Sequence, residues 1–177
     1  MVLHMSSDSF SSLPISSALI ANLDSLGYEK MTPIQAQGLP HVLAGKDLIA
    51  KAKTGSGKTA TFGLGLITKI NPRHFGVQAM VICPTRELAD QVGKELRKLA
   101  RSIPNIKVVM LCGGNPFHAQ KSSLANGAHI VVGTPGRIQD HIGKETLDLT
   151  GLEILVLDEA DRMLDMGFAE EINSIIS

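Results

Sequence analysis

The sequence predicts an α/β fold in three layers, with a mostly parallel central sheet. Two observations carry this expectation. Short apolar runs recur along the chain, each followed by a segment of helical periodicity, as strands buried on both faces require. Glycine and proline stand at the ends of most of these runs, where strand-to-helix turns fall. A length of 177 residues with 44% hydrophobic content suits one domain with a sizeable core.

Residues 1–8 read as an extraneous or flexible start, and residues 9–177 as the folded domain. Pro14 to Leu26 is an amphipathic helix, with Gly27 just past its end. A shorter helix runs from Pro33 toward Ala44, capped by Thr32. Asp47–Lys51 is the first strand, followed by a glycine loop and an apolar helix to about Ile70. Ala79–Cys83 is the second strand, ended by Pro84. From Arg86 to Arg101, Leu88, Val92, Leu96 and Leu99 share one helical stripe. Ile106–Leu111 and His129–Val132 are the next strands, with helices over Pro116–Leu124 and Pro135–Ile142. Ile154–Leu157 is the fifth strand and ends on Asp158-Glu159. Right-handed crossovers place strand-to-helix loops on one edge, where ligands bind. Loops 52–59, 84–87, 133–137 and 158–161 are therefore the candidate site.

A formal net charge of zero excludes intrinsic disorder at this apolar content. It also hides an asymmetry. Residues 46–107 carry 12 Lys/Arg against 4 Asp/Glu, while residues 140–177 carry 2 against 10. A basic middle suits a polyanion and an acidic end suits a cation, although many of these charges are solvated helix faces. Two cysteines, Cys83 and Cys112, lie at strand ends without metal-ligand spacing and read as buried thiols. With no apolar stretch near the ~20 residues of a membrane span and no signal-like start, a cytoplasmic protein is expected.

Ala52-Lys53-Thr54-Gly55-Ser56-Gly57-Lys58-Thr59 matches the Walker A pattern, with Ala52 in place of the first glycine. Gly55 and Gly57 let successive N–H groups point inward at a phosphate chain, at the start of a helix. Lys58 supplies a point charge for the outer phosphates, and the Thr59 hydroxyl suits Mg²⁺. The acidic strand end supplies Asp158 on the Mg²⁺ side and Glu159 to orient or deprotonate a water attacking the γ-phosphate. The plainer alternative is that Asp158 and Asp161 cap the following helix. The ATPase reading requires Lys58 and Asp158 to flank one triphosphate.

Asp158-Glu159-Ala160-Asp161 resembles the signature of DEAD-box RNA helicases, and other motifs agree in order. Gly27 to Gln35 looks like that family's Q motif, with Phe10 as its upstream aromatic. Pro84-Thr85-Arg86-Glu87-Leu88-Ala89 resembles motif Ia, Gly113-Gly114 the glycine doublet, and Thr134-Pro135-Gly136-Arg137 the TPGR motif. The resemblance spans Phe10 to Phe168 and implies a RecA-like P-loop NTPase domain with ATP and Mg²⁺ as cofactors. It implies that Gln35 reads the adenine edge and so selects ATP, with Tyr28 stacking on the base and Phe10 behind it. Without the resemblance, Gln35 reads rather as an exposed helix residue and Tyr28 as a core aromatic, and the surrounding motif reverses that.

By the same resemblance, RNA meets Pro84, Thr85, Arg86, Gly113, Gly114, Thr134, Pro135, Gly136 and Arg137, mainly through its backbone. Otherwise Arg86 is a solvated helix start and Arg137 pairs with an acidic neighbour. Asp161 is expected to couple hydrolysis to strand separation. A second RecA-like domain with arginine fingers is an expected partner, and the chain is expected to be monomeric. Alone it should bind nucleotide weakly without unwinding RNA. The stretches Cys83–Val92 and Leu111–Phe117 are close to a bacterial branch that acts on ribosomal RNA, which points to ribosome biogenesis. Two rivals remain open: a non-catalytic RNA- or nucleotide-binding module, and a P-loop ATPase acting on DNA or protein.

Overall fold

The computed structural model describes residues 8–177, so most of the expected extraneous start lies outside the described residues. Asp8 is already engaged, its carbonyl accepting from the Met31 N–H at 2.7 Å. The described chain divides into two compact units, residues 8–69 with 98–103, and residues 70–97 with 104–177.

In the first unit, a 3-10 turn over Phe10–Ser12 precedes α1 (Ser17–Ser25). The helix starts later than Pro14 predicts because the Ser16 hydroxyl accepts from the Leu19 N–H and caps it there. α2 (Pro33–Leu43) begins with its proline in the first turn and Thr32 as N-cap. α3 (Lys58–Lys69) follows the glycine loop and buries Leu64, Leu66 and Ile67. Gly65 meets Val42 where α2 and α3 pack closely.

The expected strand Asp47–Lys51 does not form. Leu48 is 41% exposed and Ile49 is 95% exposed. A strand is a paired structure, and this short run between Asp47 and Lys51 pairs with no strand among the described residues.

The second unit holds a sheet of four strands: β1 (Ala79–Ile82), β2 (Val108–Leu111), β3 (Ile130–Gly133) and β4 (Ile154–Leu157). Their order is β2-β3-β1-β4 and every pairing is parallel. α4 (Arg86–Leu99) leads from β1 to β2, α5 (Phe117–Ala125) from β2 to β3, and α6 (Pro135–Gly143) from β3 to β4. α7 (Ala160–Asp165) and α8 (Ala169–Ile176) follow β4.

Alternation along the strands sorts the two faces. Met80, Ile82, Val109, Leu111 and Val131 join a core with Ile138 of α6, Met163 of α7, and Ile172 and Ile175 of α8. On the opposite face Met110 lies against Gly93 of α4, and Arg97 donates to the Val108 carbonyl at 3.1 Å. Predicted strands and helices are thus matched from Ala79 to Leu157 within two or three residues. Cys83 and Cys112 are buried, as expected. No helix among the described residues is long and apolar enough to cross a membrane.

Candidate functional site

The phosphate loop lies in the first unit. Gly55 (φ +81°) and Gly57 (φ +87°) take left-handed backbone that side chains rarely adopt, and they curl the loop into the first turn of α3. A Cβ built at Gly55 meets nothing within 4 Å, so the loop is open on that side. The Ser56 hydroxyl is buried without a hydrogen-bond partner. An orphaned donor beside a glycine curl and a helix N-terminus fits an anionic phosphate chain. Ala52 and Thr59 are half-buried, and Lys53 and Thr54 exposed, so the cradle opens to solvent.

Gln35 binds this loop to the preceding motif. It is 2% exposed, not the surface helix residue of the plain reading. Its Oε1 accepts from the Thr32 N–H at 2.9 Å, and its Nε2 donates to the Gly57 carbonyl at 3.2 Å. The amide is thus held in place by one acceptor and one donor bond, and keeps a second N–H and a second lone pair with which to read an adenine edge. Phe10 is buried with its ring edge-on to Tyr28, 5.9 Å between centroids at 89°. Tyr28 is half-buried, which leaves ring area for stacking.

The acidic strand end lies in the second unit. Asp158 is 3% exposed and its N–H donates to the Ile82 carbonyl at 2.9 Å, continuing the β1–β4 ladder one residue past β4. Glu159 sits at φ +54°, ψ +51°, left-handed backbone for a residue with a Cβ. Strain of this kind costs about 1–2 kcal/mol and concentrates at functional sites. The Glu159 carboxylate pairs with Arg162 at 3.2 Å, while the exposed Asp161 accepts the Arg162 N–H at 2.9 Å. Among the described residues no three His, Cys, Asp or Glu cluster as metal ligands. Magnesium needs no such cluster, since it keeps waters and takes one or two protein oxygens beside phosphates. A buried carboxylate like Asp158 suits that chemistry.

Three further loops meet on the same rim. Ile82 is in register with Gly133 and with Leu157, and Leu111 with Gly133. All four strands therefore end at one level, and the loops after β1, β2, β3 and β4 start side by side. Arg86 begins α4, with its Nη1 close over Gly114. Thr85 caps α4 by accepting the Leu88 N–H at 3.2 Å. Arg137 donates through Nη1 to the Asn115 carbonyl at 2.9 Å and to Gln120 Oε1 at 3.1 Å. Its Nε lies 3.9 Å from the exposed Asp140. Gly113, Gly114 and Gly136 are exposed, Thr134 is half-buried, and Pro84 and Pro135 are buried behind them. Two arginines and bare backbone on one rim suit a polyanion held by its phosphates.

Comparison with known proteins decides the family. A family model described as DEAD/DEAH box helicase matches residues 32–177. The chain belongs to this family. It is 58% identical to the ATP-dependent RNA helicase DbpA of Escherichia coli over 159 residues, 90% of this chain and 35% of that protein. It is 48% identical to the DEAD-box ATP-dependent RNA helicase CshA of Bacillus cereus over 168 residues, 95% of this chain and 32% of that protein. The crystal structure of a DEAD box protein from the hyperthermophile Methanococcus jannaschii superposes with a TM-score of 0.90 at 41% identity. That match covers 94% of this chain and 46% of the other. The chain thus spans about a third of the curated relatives' length. RecA-like architecture and the DEAD-box motifs stand as expected from the sequence.

Sequence reasoning missed the side chains behind the DEAD-box rim. Gln120, His141 and Phe117 surround Arg137, and Arg162 holds Glu159. One signal was present: His141 follows Arg137 by four residues on a helix, hence on the same face.

Proposed function

We propose that this chain is the nucleotide-binding part of an ATP-dependent RNA helicase that uses ATP and Mg²⁺ to open short RNA duplexes or remodel RNA–protein complexes, with ribosomal RNA as its target. The common level of the four strand ends carries this reading, because it gathers Arg86, Gly114 and Arg137 on the rim that Asp158 ends. High identity to helicases acting on RNA supports it.

In this reading the N–H groups of residues 53–58 and the Ser56 hydroxyl bind the phosphates, and Lys58 meets the outer charge. Thr59 and Asp158 would hold Mg²⁺. When bound, that ion neutralises charge developing on the phosphates. Glu159 orients the attacking water and takes its proton through the carboxylate oxygen that Arg162 leaves open. Tyr28 stacks on the base, and Gln35 reads the adenine edge with the N–H and lone pair that Gly57 and Thr32 leave over. Arg86 and Arg137 bind RNA phosphates, while Asp161 passes hydrolysis to a second RecA-like domain. Arginine fingers of the kind that domain would supply are worth roughly 10³–10⁵ in rate, so this chain alone binds nucleotide without RNA-stimulated turnover.

Calorimetric titration with ATP, with Mg²⁺ or with EDTA, tests the nucleotide half. Lys58→Ala should weaken Mg·ATP binding about 10- to 100-fold, and Asp158→Asn should remove the advantage of Mg²⁺ over EDTA. Equal affinity for wild type and Lys58→Ala would overturn the proposal.

A further inference from the structure

Gln120 lies on α5, buried, between the loop after β2 and the helix carrying Arg137. Its Nε2 donates to the Cys112 carbonyl at 2.9 Å, which fixes the amide's orientation. Oε1 therefore faces two donors, Arg137 Nη1 at 3.1 Å and His141 Nε2 at 2.8 Å. Since Oε1 only accepts, His141 carries its proton on Nε2. Its Nδ1 then accepts from the Thr146 hydroxyl at 2.7 Å, a proton shared with the His141 carbonyl at 3.1 Å. The His141 ring is wholly buried and stacked on Phe117, with centroids 4.1 Å apart and planes at 11°. Every polar atom behind the guanidinium is thus committed, in a chain running from Thr146 through His141 and Gln120 to Arg137.

This chain acts on a side chain with much freedom to lose. An arginine has many rotamers, and ordering it on binding a phosphate subtracts from affinity. Here Nη1 is already anchored twice, on Gln120 and on the Asn115 carbonyl. No hydrogen bond from Arg137 Nη2 is present among the described residues, so that nitrogen is available for an external oxygen. The side chain is only 17% exposed, so what shows is held rather than roaming.

We infer that Gln120 is a positioning residue for RNA binding: oriented by Cys112 and backed by His141, it holds Arg137 ready for a phosphate of single-stranded RNA. The inference rests on the reading of this rim as an RNA surface. Gln120 itself touches no RNA.

Fluorescence anisotropy of a fluorescein-labelled ten-nucleotide oligouridylate, measured against the protein at several salt concentrations, tests it. Arg137→Ala should make the plot of log K against log salt shallower by about 0.7, the loss of one phosphate contact. Gln120→Met, of similar length but without either amide function, should weaken binding about two- to tenfold and make the slope shallower in the same direction. The double variant should bind no worse than Arg137→Ala alone. Circular dichroism and thermal unfolding establish that each variant is folded. Should Gln120→Met not fold, Thr146→Val at the half-buried outer end of the chain takes its place in the same double-variant comparison. Unchanged slope for the Gln120 or Thr146 variant beside a reduced slope for Arg137→Ala overturns the positioning role, as do multiplying effects in the double variant. Unchanged binding by Arg137→Ala instead overturns the RNA reading of the rim, and the positioning role with it.

Discussion

His141 shows how burial turns an ordinary residue into a conditional one. Burial foremost, and then the positive charges of Arg137 and Lys144, push its pKa below the usual histidine value, against a smaller opposite pull from Asp140. The unfolded chain then binds a proton near pH 6.5 that the folded chain refuses. His141 therefore contributes stability that is complete above that pH and lost as pH falls below it. Thermal unfolding of wild type and His141→Gln at pH 7.5 and pH 5 should show the wild type losing more than the variant; parallel losses would show that His141 is not the group responsible. Cys112 contrasts with it. Burial first, then the Asp90 carboxylate, pushes its thiol up to about 11, so it stays protonated and inert at neutral pH. Gly133 is a third particular case. A Cβ there would run into the Leu111 carbonyl and lie 3.0 Å from Ile138. Gly133→Ala should cost about 1–3 kcal/mol in urea denaturation and disturb Thr134 and the first turn of α6, which begin at the next residue.

At the scale of elements, what the sequence made legible was decided by whether a segment finds a strand to pair with. The runs Ala79–Ile82 and Ile130–Gly133 are apolar throughout and sit inside the sheet, so composition and position agree. Ile154–Leu157 was located to the residue, yet it is an edge strand and Leu155 is 37% exposed, which apolar content alone does not foretell. Asp47–Lys51 has the same look and fails as a strand, since pairing is a property of two segments and periodicity reads only one. The site divides the same way. Motif spacing located the glycine loop, the acidic end and both arginines. It could not reveal that Gln35 is tied to Gly57, or that Gln120 stands behind Arg137, because those bonds join residues far apart in sequence. Backbone amides of residues 47–51 should exchange with deuterium far faster than those of Ala79–Ile82, and Ile49→Ser should stay within about 0.5 kcal/mol of wild type while Ile82→Ala costs about 2–5 kcal/mol. Protection of residues 47–51 equal to that of β1 would contradict this.

For the molecule as a whole, zero net charge gives little long-range pull on a polyanion, so RNA affinity depends on where the charges stand. With Arg86 and Arg137 as the two phosphate contacts of the rim, oligouridylate affinity should fall about sevenfold between 50 and 200 mM salt. A salt-independent affinity would place binding on other forces. The shared level of the strand ends has one more consequence. The sheet works as a jig, with each loop clamped at a height set by the pairing of its strand. Loop residues can be exchanged freely without disturbing that alignment, whereas one residue inserted into β3 would lift Thr134–Arg137 by about 3.3 Å and reverse the inward and outward faces behind it. Heritable change in this protein should therefore tolerate new letters in the loops far better than new lengths in the strands.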